Sequence, residues 1–180
     1  MKRTIIVLLA LISISLTSQA QGFYGGVRAG LNLSSLTKTS GAKVVARANV
    51  GGFLGVQFAT VAAIQLEALY SFQGAKLDIE GVRSDLQLDY LKIPIMAKVY
   101  LIKGFNVEAG VSFNILTSAL MNGNATKGYQ GFDFSIPVGL AYQFGRHIEV
   151  GVRYDISLVK YYPDHTGASS LWSINAAWRF

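Results

Sequence analysis

From Phe23 onward, apolar side chains recur at every second position. Phe23, Gly25, Val27, Ala29, Leu31 and Leu33 alternate with Tyr24, Gly26, Arg28, Gly30, Asn32 and Ser34. A period of two sends successive side chains to opposite faces of a β-strand. Ala48, Val50, Gly52, Leu54, Val56 and Phe58 likewise oppose Arg47, Asn49, Gly51, Phe53, Gly55 and Gln57. The split is cleanest where Phe105, Val107, Ala109, Val111 and Phe113 oppose Asn106, Glu108, Gly110, Ser112 and Asn114, and where Ile148, Val150, Val152, Tyr154 and Ile156 oppose Glu149, Gly151, Arg153, Asp155 and Ser157. The pattern predicts eight strands, at about 22–34, 47–59, 63–75, 86–101, 104–117, 131–144, 147–160 and 170–180. Polar connections near 35–46, 76–85, 118–130 and 161–169 are long, whereas Thr60 to Ala62, Ile102-Lys103 and Gly145-Arg146 are tight turns. Alternating short and long connections predict an all-β fold, an eight-stranded antiparallel up-and-down barrel with all its long loops at one end.

Periodicity does not say which face points outward, and a soluble barrel with an apolar interior is the rival. The interior of eight strands is just wide enough for its side chains. The bulky Phe, Trp, Tyr, Leu and Ile of the apolar faces overfill it; the Gly, Ser, Ala and Asn of the opposite faces fit. Composition points the same way, because 51% of residues are hydrophobic and only 14% charged, against about 25% charged in soluble domains. A Lys or Arg on a lipid-facing barrel surface costs about 2–4 kcal/mol near the midplane, so a membrane accounts for the deficit. Aromatic residues gather at the tight-turn ends (Phe23, Phe58, Tyr100, Phe105, Tyr142, Phe144, Trp178, Phe180) and near the loop ends (Tyr70, Phe72, Tyr90, Phe132, Tyr161, Trp172), as two interfacial girdles would. Unpaired backbone groups cost several kcal/mol each in hydrocarbon, so the first and last strands are expected to pair. Pro94 and Pro137 fall inside strands, and a bulge or local break is expected at each.

The chain starts Met1-Lys2-Arg3, continues through an apolar stretch from Ile5 to Leu16 and reaches Ser18-Gln19-Ala20. This order of basic, apolar and small residues is that of a secretory signal peptide. The expectation is a cleaved leader at 1–20 and one barrel domain at 21–180, in a bacterial outer membrane with both termini periplasmic. Losing Lys2 and Arg3 lowers the formal charge from +6 to +4, with no basic run or stripe to engage nucleic acid. There is no cysteine, hence neither a disulfide framework nor a thiolate metal site.

The inward faces collect Arg28, Arg47, Lys92, Lys98, Arg153 and Arg179 with Glu67, Glu108, Asp133, Glu149 and Asp155. Such a lumen either conducts and binds or is a paired polar core. Buried charges persist chiefly when paired and eight strands leave little room for water, which favours the core. His147 falls at a tight turn and reads as a solvated turn residue. His165, with Ser169 and Ser170 close by, is the one enzymatic lead, for lipid acyl transfer or hydrolysis; proximity in sequence is weak ground for a triad. No catalytic, metal or cofactor site is assigned. The last strand ends with Ile174, Trp178 and Phe180 on its apolar face, the form of an insertion signal read by the barrel-assembly machinery through strand pairing.

Gly26-Val27-Arg28-Ala29-Gly30-Leu31-Asn32, Leu88-Asp89-Tyr90-Leu91-Lys92-Ile93-Pro94-Ile95 and Gly151-Val152-Arg153-Tyr154 resemble the PorT-like outer-membrane β-barrel domain family, over residues 22–180. The resemblance implies the barrel fold and assigns no catalytic residue. The family includes barrels of unknown role and an accessory protein of a secretion and gliding apparatus. The partners this implies are outer-membrane lipid, the assembly machinery, and surface or secretion proteins met through the long loops. The chain is expected to be a monomer that binds no nucleic acid.

Overall fold

The computed structural model describes residues 22–36, 42–43, 45–59, 61–79, 82–102, 104–121, 124–125, 131–158 and 169–180. Eight long strands follow one another: β1 (Phe23–Leu36), β3 (Val45–Ala59), β4 (Ala62–Ile79), β5 (Val82–Ile102), β6 (Phe105–Met121), β8 (Phe132–Phe144), β9 (Ile148–Ser157) and β10 (Ser169–Arg179). Two-residue strands, β2 (Ala42–Lys43) and β7 (Asn124–Ala125), flank β4 and β6. Each long strand pairs antiparallel with the next, and β10 returns to β1 with Gly26 opposite Arg179 and Ser34 opposite Leu171. The sheet is therefore a closed eight-stranded barrel, with no long strand edge left unpaired.

The faces divide as the alternation predicts. Val27, Leu31, Val50, Leu54, Leu66, Val111, Leu140, Val152 and Ile174 are exposed on the outside, while Arg28, Asn32, Asn49, Glu67, Ser112, Arg153 and Asn175 are buried within. Positive φ at Gly104 (83°) and Gly145 (63°) lets the chain reverse at two of the tight turns, a conformation L side chains adopt rarely. The Gln57 N–H donates to Gly22 O at 2.7 Å and the Phe180 N–H donates to Gly25 O at 2.9 Å, so both ends of the described chain lie at the tight-turn end.

Several expectations are corrected. Residues 76–79 and 82–85 form no loop: β4 and β5 are one long hairpin, with Ile79 opposite Val82, and β6 likewise continues to Met121. Crossing a bilayer takes about 9–11 tilted residues, so β4, with 18, and β5, with 21, outrun it, whereas β9 and β10, with 10 and 11, do not. Outside the bilayer neither face must be greasy, and period two fades there although the strand continues. The seventh strand ends at Ser157, short of its expected limit of 160. Tyr90 and Tyr100 do not join the girdles. Tyr90 is buried against Leu88, Leu116 and Ala119, and Tyr100 packs on Tyr24, Phe53, Ala63 and Ala177. The lumen thus holds bulky aromatic groups near both ends as well as small residues. Tyr161 and His165 lie outside the described residues.

At the prolines the ladder breaks without a bulge. Pairing of β4 with β5 passes from Leu66↔Ile95 directly to Leu69↔Lys92, and pairing of β6 with β8 from Ala109↔Val138 to Ser112↔Ser135, with register unchanged. Each gap holds one proline, whose absent N–H removes a ladder bond. The register shifts instead between Gln57 and Ala59, Asp89 and Tyr90, and Tyr100 and Ile102.

Candidate functional site

The barrel draws its inward charges into two groups. The larger one unites Arg28 from β1, Glu67 from β4, Lys98 from β5, Glu108 from β6, and Glu149 and Arg153 from β9. Arg153 is its hub. Its Nη1 and Nη2 donate to the two Glu67 carboxylate oxygens at 2.7 Å each, while Nη2 reaches Glu108 Oε2 at 3.1 Å and Nε also donates to Glu108. Two planar carboxylates therefore grip one planar guanidinium, the geometry that makes such pairs strong. Lys98 Nζ donates to both oxygens of Glu149 at 2.7 Å and stands 3.6 Å from Glu108. Arg28 Nη2 donates to Glu149 at 2.9 Å and lies 3.7 Å from Glu67. Three cations meet three carboxylates, and all six side chains are buried. A neutral, cross-linked set is the form in which buried charge is tolerated.

Toward the loop end, Lys92 pairs with Asp155, and Asp133 accepts from the Ser157 hydroxyl at 3.1 Å. Arg47 is half-buried on the inward face of β3. At the tight-turn end the Arg179 guanidinium carbon lies 3.8 Å from the centroid of the Tyr24 ring, within cation–π range. The eleven expected lumen charges thus all face inward, but they form no single network. Six make the neutral cluster, Lys92 and Asp155 pair toward the loop end with Asp133 beside them around one small cavity, and Arg179 lies against Tyr24 at the other end.

Neutral partners that sequence reasoning did not single out complete the plug. Tyr24 donates to Gln65 Oε1 at 3.1 Å, and Gln65 Nε2 donates to Glu67 at 2.6 Å. Above the cluster, Asn49 Nδ2 donates to Asn32 Oδ1 at 2.8 Å, and Asn32 Nδ2 to the Ser71 hydroxyl and Phe72 O at 2.9 Å. All lie on the inward phase of their strands, the one signal that could have found them. The cavities left in this half of the lumen are about 20 Å³ each, room for about one water.

His147 is exposed at the turn between β8 and β9, where its ring stacks on Trp178 at 5.4 Å and Nδ1 lies 3.0 Å from Arg179 O. Ser169 and Ser170 open β10, but their expected companion His165 is outside the described residues. Ile174, Trp178 and Phe180 are exposed on the outer face of the barrel, with Ile174 opposite Leu31 and Trp178 opposite Val27. In the closed barrel β10 is paired along its length on both sides.

A family model described as outer membrane protein beta-barrel domain matches residues 6–180. Among solved structures, Neisserial surface protein A is similar with a TM-score of 0.55 and 14% identity, covering 91% of this chain and 100% of that one. Ail of Yersinia pestis in a phospholipid bilayer nanodisc is similar with a TM-score of 0.55 and 11% identity, covering 89% of this chain and 100% of that one. Ail in complex with the heparin analogue sucrose octasulfate gives a TM-score of 0.54 and 14% identity, covering 89% and 99%. At these identities the likeness concerns the fold alone. No curated protein matches the chain in sequence.

Proposed function

Because the chain belongs to the outer membrane protein beta-barrel domain family, we propose that it is a nonenzymatic, non-conducting outer-membrane barrel. Its rigid body displays the long loops to surface or envelope partners. The observation that carries this reading is the buried neutral cluster centred on Arg153. Three carboxylates and three cations from five strands fill the cross-section, and a hydrated ion would have to break several of these contacts to pass. Planar-bilayer recording on the purified protein tests it. No steady conductance is expected, and a stable, large, ion-selective pore would overturn the proposal.

In the same reading residues 1–20 are a cleaved leader, so the mature protein begins at Gln21, which N-terminal sequencing checks. Both termini face the periplasm, and the assembly machinery reads Ile174, Trp178 and Phe180 before β10 closes on β1. The finished barrel is a monomer, needs no cofactor and binds no nucleic acid.

A second reading is a secretion accessory factor in the PorT manner, suggested by the three motifs of that resemblance. Each motif delivers one cation to the lumen, namely Arg28, Lys92 and Arg153. The motifs are thereby accounted for as parts of the plug, and they favour the fold over that task. A secretion defect on deletion, rescued by the intact gene, would reverse the preference. A lipid enzyme using His165 is the remote third reading.

A further inference from the structure

Gly30 sits on the inward face of β1 with Asn49 of β3 directly opposite on one side and Asn175 of β10 on the other. The missing side chain makes room for the neighbouring amide. A Cβ at residue 30 would stand 2.2 Å from Asn175 Oδ1, so that oxygen already leans into the space. Both asparagines are about 4% exposed. Asn49 spends its Nδ2 on Asn32 at 2.8 Å and Asn175 spends its Nδ2 on the Ser173 hydroxyl at 2.9 Å. The Oδ1 atoms of both are buried without a hydrogen-bond partner, an arrangement native interiors rarely leave unanswered. Both residues also line one small cavity of about 20 Å³, which takes about one water.

We infer that a single structural water occupies this cavity and bridges Asn49 Oδ1 to Asn175 Oδ1. Two orphan acceptors need two donated hydrogens, which one water supplies. The alternative occupant of a pair of neutral oxygens is a monovalent cation. Lys92, Arg153 and Asp155 line the same cavity; with two cationic side chains there against one carboxylate, a further positive charge is opposed. Turning either amide over would exchange an orphan acceptor for an orphan donor; water satisfies both, a cation only the first. The location gives the water a task. β1 and β10 meet where the sheet closes on itself, and a bridge from β3 to β10 spans that seam from inside.

The test is a crystal structure of the intact barrel at a resolution that shows ordered solvent, grown with rubidium as the only monovalent metal cation. A water about 2.8 Å from both Oδ1 atoms, with no anomalous signal, is the expected result. An anomalous peak at that point assigns a cation and overturns the inference, as does a space without density. Gly30→Ala, whose Cβ would meet Asn175 Oδ1 at 2.2 Å and Ile174 O at 2.4 Å, is expected to push that amide aside and lose the bridging water; a water retained on both Oδ1 atoms would refute the placement. Should that variant fail to fold, Asn49→Ser enlarges the space without blocking it. Its cavity is expected to stay hydrated, and loss of all solvent density there would count against the inference.

Discussion

Replacing Arg153 with methionine removes the guanidinium and keeps most of its bulk. Four hydrogen bonds to Glu67 and Glu108 vanish at once, and three buried carboxylates remain with two cations. Neither acid is abandoned. Arg28 stands 3.7 Å from Glu67 and Lys98 3.6 Å from Glu108, but both cations are already engaged by Glu149. Removing one partner of a buried pair typically costs about 3–5 kcal/mol, most of it the penalty of the charge left behind. The loss for Arg153→Met is expected in that range, a large share of the stability of a domain this size. If uncompensated charge is the cause, Glu67→Gln in the same chain restores neutrality and should recover more than half. Urea unfolding in lipid vesicles, followed by the mobility difference between folded and heated samples, measures all four corners of the cycle. Arg153→Met within 0.5 kcal/mol of the parent, or no rescue by Glu67→Gln, would refute this account of the cluster.

Depth should govern charge on the outer face. Val111→Arg, near mid-barrel, is expected to cost about 2–4 kcal/mol and Ile148→Arg, at the tight-turn rim, about 0–1; equal penalties would show that the outer band is not in hydrocarbon. Deleting Phe180 is expected to reduce the inserted yield in cells while leaving refolding into detergent largely intact, and unchanged yield would remove the docking role. His165→Ala is expected to leave the acyl composition of the envelope lipids unaltered; an altered profile would revive the enzymatic reading.

Alternation made the inward and outward faces legible because lipid on one side and a narrow lumen on the other act on every strand at once. Val27 and Arg28 are told apart by that rule alone. The pairing of charges was not legible, since Arg153 meets Glu67 from 86 residues away and only the closed circle makes them neighbours. The hairpin through Ile79 and Val82 is not legible in the alternation because backbone pairing outside the bilayer needs no greasy face. Tyr90 and Tyr100 were misplaced because an aromatic near a strand end serves equally as a girdle outside or a stopper inside, and only its phase decides. Gly30 carries no signal of the two amides beside it, since Asn49 and Asn175 lie one strand away on each side.

The order in which the cluster's charges enter along the chain has a consequence for assembly. β1 brings one positive charge, β4 one negative, β5 one positive, β6 one negative, and β9 both Arg153 and Glu149. Of these six groups, any run of consecutive strands carries a net charge of at most one. A nascent sheet growing from either terminus therefore never has to drag more than a single unbalanced ion of this set into the bilayer. Naked charge in hydrocarbon costs several kcal/mol per ion, so this sequential cancellation flattens the climb toward closure.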